Sequence, residues 1–303
     1  MKILNFGSIN IDIFFRVNHI ARPGETISAQ SIEKRAGGKG LNQSVALAKN
    51  SDRVYHAGSL GSDGAFLKEY LAGEGIDTSF IRDSDNSTGN AIIQVDDNGE
   101  NSIVLYKGAN FDIDKDFIDE VLLNFDKNDI LVLQNEINNL DYIIKEGYEK
   151  GMKIVLNPSP ITDELKNLDF KKIDLLMVNE TESKEISLCN DIEGCIAYFR
   201  ENYPNLKLVI TLGSKGSIFI DRDNKICQKA YKVKAVDSTG AGDTFTGFFV
   251  AEFYKNTDVK KCLELATKAS ALSVRKKGAS ISIPNLEDVE KFIGEDLWRK
   301  KEF

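Results

Sequence analysis

The stretch Val236-Asp237-Ser238-Thr239-Gly240-Ala241-Gly242-Asp243-Thr244-Phe245-Thr246-Gly247-Phe248 decides how the rest of the chain is read. Small and hydroxyl side chains crowd around Asp243, and an apolar series follows at once: Phe245, Phe248, Phe249, Ala251 and Phe253. That is the pattern of a tight loop opening a helix. The unpaired N–H groups of a first helical turn, with the positive end of its dipole, form an anion site. Small residues let the anion approach the backbone. A carboxylate in such a site repels the anion, which makes sense if Asp243 faces a second substrate and takes a proton from it. The same spacing also fits plain turn chemistry. No P-loop pattern occurs in the chain, and Phe245 stands where a dinucleotide fingerprint needs its third glycine.

Upstream, residues 130–134, 153–156, 175–178 and 208–212 are almost continuous apolar runs, as expected for parallel strands covered on both faces. Helices are expected between them, for example at 141–150 and 182–188. Residues 216–220 and 226–233 read as an edge hairpin, and 233–236 as a strand leading to Asp243. Downstream, Asp258 caps a long helix bearing Val259, Cys262, Leu263, Ala266, Ala269 and Leu272, closed by Lys276-Lys277-Gly278.

The N-terminal part begins with a buried strand at 2–7. Ser8-Ile9-Asn10-Ile11-Asp12 then places Asn10 and Asp12 on one side of an extended segment, by the period of two. A second short β segment near 26–33 precedes Ala36-Gly37-Gly38-Lys39-Gly40-Leu41-Asn42-Gln43, a second glycine cluster, which opens a helix closing near Asn50. Residues 54–60 read as a strand, and Asp63 as the cap of a helix ended by Gly75. Segments 91–95 and 102–106 flank Asp96-Asp97-Asn98-Gly99-Glu100, a hairpin signal, and join the 11–33 region in a small sheet. Asp112, Asp114 and Asp116 read as a helix start, because Phe117 occupies the glycine position of a calcium loop.

Alternating strands and helices predict an α/β fold: a doubly wound, mostly parallel sheet flanked by helices, with ligands at the carboxyl ends of the strands. Asn10, Asp12, Glu136, Asn157, Asn179, Glu182, Thr211, Gly213 and Asp243 all fall at that rim, which marks it as an active site. The chain has 303 residues, 42% of them hydrophobic, and a formal net charge of −8. That balance argues against a nucleic-acid or anionic-membrane surface. Four cysteines without a C-x-x-C pair, and a start without a signal peptide, lead to the expectation of a reduced, cytoplasmic protein. With only His19 and His56, a histidine zinc site or a Ser-His-Asp triad has little to draw on.

Taken together, these motifs resemble the ribokinase-like (PfkB) carbohydrate kinases over essentially the full length. The segment 237–245 is similar to the family's C-terminal signature, and 36–43 with its helix to the N-terminal one. Gly7-Ser8-Ile9-Asn10-Ile11-Asp12, Pro23-Gly24-Glu25-Thr26, Asn179-Glu180-Thr181-Glu182 and Thr211-Leu212-Gly213-Ser214-Lys215-Gly216 match further blocks in order. Within the family, the Gly-Ser-Ile-Asn-x-Asp and Gly-Gly-Lys-Gly-x-Asn-Gln blocks look most like its ribokinase members.

The resemblance implies ATP-dependent transfer of a phosphoryl group to the 5-hydroxyl of D-ribose. Fructose, 2-keto-3-deoxygluconate or a nucleoside are alternative acceptors, and a non-catalytic sugar or nucleotide sensor is a remoter reading. Asp243 would be the general base, and the N–H groups of Gly240, Ala241, Gly242 and Asp243 the anion site. Asn10, Asp12, Gly38, Lys39, Asn42 and Glu136, beside Asp243, would bind the sugar. Asn179, Thr211, Gly213, Gly216 and Gly242 would lie along the nucleotide. Mg²⁺ would be placed by Asn179 and Glu182, a pair that also suits a helix cap. A monovalent cation, K⁺, would sit among Asp237, Thr239, Ser273, Lys276, Gly278 and Ser282. The resemblance also divides the chain into a main domain (1–10, 36–88 and 107–303) and a β-sheet lid (11–35 and 89–106). Two lids would pack together in a homodimer, with Phe14 or Ile92 at the contact.

Overall fold

The computed structural model describes residues 1–293. Its strands are β1 (Ile3–Phe6), β2 (Asn10–Arg16), β3 (Ser31–Gly37), β4 (Val54–Gly61), β5 (Asp77–Ser84), β6 (Gly89–Val95), β7 (Asn101–Tyr106), β8 (Ile130–Gln134), β9 (Lys153–Asn157), β10 (Leu175–Asn179), β11 (Lys207–Thr211), β12 (Ser217–Ile220) and β13 (Lys225–Gln228). The helices are α1 (Lys39–Ala48), α2 (Ala65–Gly73), α3 (Lys115–Leu122), α4 (Leu140–Glu149), α5 (Glu180–Ser187), α6 (Ile192–Asn202), α7 (Ala241–Phe253), α8 (Val259–Ser273) and α9 (Leu286–Lys291).

A nine-stranded sheet runs β13-β12-β11-β10-β9-β8-β1-β4-β5, parallel except where β12 pairs with β11 and β13. Its strands alternate between two cores. Ile130 and Val132 of β8 join the cluster under α1, α7 and α8, whereas Leu131 and Leu133 join the one under α3, α4 and α6. Burial on both faces explains the near-continuous apolar runs. Because β1 lies between β8 and β4, the strand order reverses at its end, which opens a crevice at the carboxyl rim.

A separate four-stranded sheet runs β3-β2-β6-β7, with β2 and β6 parallel and the outer pairs antiparallel. Its members come from two distant parts of the chain, the hairpin around 96–100 joining the N-terminal β segments as expected. No helix among the described residues is long and apolar enough to cross a membrane.

Several local expectations are corrected. No strand forms at 233–236; residues 229–240 are irregular, and the Val236 and Asp237 N–H groups both bond to the Val274 carbonyl. Strand β13 stops at Gln228, short of the expected hairpin arm. The β segment placed near 26–33 lies later, at β3. Asp63 caps no α-helix: its Oδ1 accepts from the Thr88 N–H and hydroxyl, tying the end of β4 to the start of β6. Strand β5 and helix α6 had no sequence expectation. The acidic start at 112–116 behaves as read, with Asp114 accepting from the Phe117 N–H at 2.8 Å.

Candidate active site

Gly240 takes φ 73° as the N-cap of α7, a left-handed conformation that a side chain would strain. This turn aims the first N–H groups of α7 outward. The Ala241 N–H is already used, donating to the Ser238 carbonyl at 3.2 Å, and the first helical bond is Thr244 N–H to Gly240 O. The Gly242 and Asp243 N–H groups are the ones helix geometry leaves over. A Cβ added at Gly242 would meet no protein atom within 4 Å. A cavity of about 230 Å³ lies there, lined among others by Lys39, Asn179, Glu182, Thr211, Gly240, Gly242 and Asp243.

Asp243 is 6% exposed. Its carboxylate accepts Asn42 Nδ2 on Oδ2 at 3.1 Å and Gln43 Nε2 on Oδ1 at 3.0 Å. Both donors stand at the start of α1, so the two glycine-rich helix starts meet at this aspartate. Lys39 opens α1, and its ammonium is held firmly protonated, first by Asp243 and then by Glu136 and Glu182, against the effect of burial. Glu136 follows β8. One of its oxygens accepts the Lys39 backbone N–H at 3.0 Å and the Ser8 hydroxyl at 2.5 Å. Burial pushes its carboxyl above the ordinary range, partly offset by Lys39.

Asn10 is buried; its Oδ1 accepts from Asn110 Nδ2 at 2.7 Å, while its own Nδ2 has no bond among the described residues. Asp12 stands beyond it on the same face of β2. Its carboxyl is raised from 3.8 to about 7, first by burial and next by the charge of Glu136. The folded state thus holds this proton more tightly than the unfolded chain. The associated stability is complete below pH 3.8 and is lost as pH rises through about 7. Asp12→Asn is therefore expected to melt a few degrees above the parent at pH 8, with the gap closing toward pH 4. Melting curves across that window check it; a gap independent of pH would refute the assignment.

Gly38 is the N-cap of α1, with φ 92°. Asn179 and Glu182 form a reciprocal capping box at the start of α5: Asn179 Oδ1 accepts the Glu182 N–H, and Glu182 Oε2 the Asn179 N–H, both at 2.9 Å. Glu182 still lines the cavity, and its Oε1 has no bond among the described residues. Thr211 reaches the cavity wall, whereas Gly213 and Gly216 shape the turn after β11 at φ 57° and 115° and do not line it. Asp237 ties the irregular segment together, accepting from the Thr239 N–H and hydroxyl on one oxygen and from the Gly278 N–H on the other. Ser273 and Ser282 spend their hydroxyls on the Ser270 and Ala279 carbonyls, and Lys276 points outward.

The structure also gives parts to Asn157, which the sequence placed only at the rim, and to Gln43 and Asn110, which had no role. Gln43 and Asn157 share a 3.1 Å bond beside Asp243, and Asn110 braces Asn10 and the Ile9 N–H. Gln43 was visible as the neighbour of Asn42 at one helix start. Asn110 gave no local signal, since its partners lie about one hundred positions away.

A doubly wound sheet with a small sheet beside its carboxyl rim, and a buried aspartate inside a glycine-rich helix start, defines a phosphotransferase that acts on a small hydroxylated molecule. Residues 1–286 match the model of the pfkB family carbohydrate kinases. The chain is 35% identical over 301 residues to a ribokinase of Haemophilus influenzae, covering 95% of this chain and 96% of that protein. It is 31% identical to a deoxyribokinase of Salmonella typhi, covering 97% and 99%. The structure of Arabidopsis thaliana ribokinase complexed with ribose and ATP is similar at TM-score 0.85 and 30% identity, over 96% of this chain and 97% of that one. The chain belongs to the pfkB family of carbohydrate kinases, and is a phosphotransferase acting on a sugar hydroxyl.

Proposed function

We propose that this enzyme transfers the γ-phosphoryl group of ATP to the 5-hydroxyl of D-ribose, with Asp243 as general base. The observation that carries this reading is the meeting of the two helix starts at Asp243. It puts a buried carboxylate, the Lys39 ammonium and two unpaired N–H groups around one cavity. Asp243 takes the proton of the attacking hydroxyl, and a positioned base is worth about 10²–10⁴-fold. The Gly242 and Asp243 N–H groups stabilise charge on the transferred group, as phosphoryl transfer requires. Asn10, Asp12, Gly38, Lys39, Asn42 and Glu136 hold the sugar, whose hydroxyls all need partners once buried. ATP extends along Asn179 and Thr211 toward the Gly213–Gly216 turn.

Mg²⁺ fits as an ion carried in with the nucleotide. Among the described residues no group of three or more His, Cys, Asp or Glu side chains is arranged to hold a metal ion. Glu182 Oε1 is the free carboxylate oxygen on the cavity wall, suited to an ion that keeps most of its waters. The ion would neutralise charge on the phosphates. K⁺ would be held by backbone carbonyls of the segments that Asp237 draws together, since the Ser273 and Ser282 hydroxyls are already committed. The small sheet serves as the lid, excluding water from the transfer. Its face bearing Ile32, Ile92, Val104 and Tyr106 is exposed and apolar, which supports a homodimer through the lid. Phe14 is half-buried under the Arg35 guanidinium, so Ile92 is the better contact residue. Light scattering of the parent and of Ile92→Glu would read the dimer directly.

A nucleoside acceptor is the second reading, favoured by one observation. A larger cavity of about 450 Å³ runs from Asn10 and Glu136 past Leu105, Tyr106, Phe111 and Leu140. An ADP-release assay over ribose, deoxyribose, fructose, 2-keto-3-deoxygluconate and nucleosides, with and without Mg²⁺ and K⁺, decides. Preference for ribose is expected; preference for a nucleoside would move the acceptor into the larger cavity. Silence with every acceptor would overturn the kinase assignment itself.

A further inference from the structure

Strands β1, β4 and β8 lie side by side, with Asn5 opposite both His56 and Val132. By strand alternation Asn5, His56 and Gln134 share the face of Ile3, Val54, Ile130 and Val132, which pack in the core beneath α1 and α7. All three are 0% exposed. Polar side chains at the centre of a parallel sheet are costly unless bonded. Here they form one chain of bonds that ends on Asp243.

The direction of that chain is dictated from its root. The Gly40 carbonyl can only accept, so Asn5 must turn Nδ2 toward it, at 2.6 Å. Asn5 Nδ2 also donates to Ser44 Oγ at 2.7 Å, and Ser44 pairs with His56 Nδ1 at 2.7 Å. Burial pushes the His56 imidazole down to about 4, so it is neutral and Nδ1 can accept the serine proton. Asn5 Oδ1 is then the face left for Gln134, whose Nε2 donates to it at 2.9 Å and to Gln43 Oε1 at 2.7 Å. Gln43 is left with its Nε2 facing Asn157 Oδ1 and Asp243 Oδ1, at 3.1 and 3.0 Å. Each amide spends both hydrogens. Flipping any one of them sets oxygen against oxygen.

We propose that Gln43 is a positioning residue for phosphoryl transfer. Its amide, oriented from the Gly40 carbonyl through Asn5 and Gln134, clamps the Asp243 carboxylate so that Oδ2 faces the acceptor side of the site. This rests on the reading of Asp243 as the base. Gln43 itself touches neither substrate.

The test uses Gln43→Met, Gln134→Met and the double variant, near-isosteres that remove the donors. Each single variant is expected to lower kcat about tenfold, the scale of one charge-assisted hydrogen bond. KM for sugar and for ATP should change little. The double variant should be no slower than Gln43→Met alone, because both act through one bond. A merely structural role would instead lower Tm, leave kcat per folded molecule unchanged and give additive losses; that result would overturn the inference. Should Gln43→Met fail to fold, Gln134→Met and Asn5→Leu carry the same kcat-against-KM test. An Asp243→Asn variant that still turns over would sink the base assignment. A silent Asp243→Asn beside fully active Gln43 and Gln134 variants would sink only the positioning role.

Discussion

Asp243→Asn is expected to lower kcat by about 10²–10⁴-fold while sugar and ATP still bind. The substitution keeps the size of the side chain and removes its basicity. The native carboxylate accepts on both oxygens, from Asn42 and from Gln43. An amide offers a single oxygen, so one of these donors faces an NH₂ group, and a small stability loss accompanies the kinetic one. The backbone N–H groups of α7 and the Lys39 ammonium are untouched, so the anion site persists. Steady-state rates with the preferred sugar, together with calorimetric titration of sugar and nucleotide, check both halves. A variant with near-parental kcat would remove Asp243 from the proton transfer. Lost binding together with lost turnover would recast it as a sugar ligand.

Gly247→Ala should destabilise the fold at the point where the two glycine-rich helices pack. Helices α1 and α7 touch where Gly247 meets Ala46. An added Cβ would lie 2.3 Å from the Ala46 Cβ and 2.8 Å from both the Ala46 carbonyl carbon and the Leu47 nitrogen. Two of those three atoms are backbone, and both helices are buried at this point, so no side chain can swing aside. Overpacking typically costs 1–3 kcal/mol, and a backbone clash belongs at or above the upper end. The gain of about 1 kcal/mol in helix propensity does not offset it. A Tm drop of roughly 5–10 °C follows. Activity should fall as well, because prising α1 from α7 separates Asn42 and Gln43 from Asp243. Thermal melts and kcat on the folded fraction test this; an unchanged Tm would mean the helices have slack that their contact distances deny.

Both outcomes depend on a contact between helices some two hundred positions apart, which shows where sequence reading stops. The glycine-rich starts of α1 and α7 were legible as helix openings, because caps, small residues and apolar periodicity are local signals. The four runs that became β8 to β11 were legible for the same reason: a strand buried on both faces must be apolar throughout. Where the pattern was weak the reading slipped. Val236 looked like a strand residue, but its N–H pairs with a lone carbonyl after α8. Asp63 looked like a helix cap, but its carboxylate is spent on Thr88, which follows the strand beside it.

By itself, then, the sequence determined the element types, the doubly wound class and the rim on which the polar residues gather. Those follow from hydrophobic period and turn chemistry acting over a few residues. The tertiary structure alone decided which polar groups meet. It paired Gln43 with Asp243, spent the Ala241 N–H on Ser238 and locked Asn179 to Glu182 as a cap. It also turned Asn5, His56 and Gln134 toward α1, where residues that read as strand interior became a bonded chain. The physical reason is that a hydrogen bond is satisfied by proximity and direction, and neither is encoded near the residue that makes it.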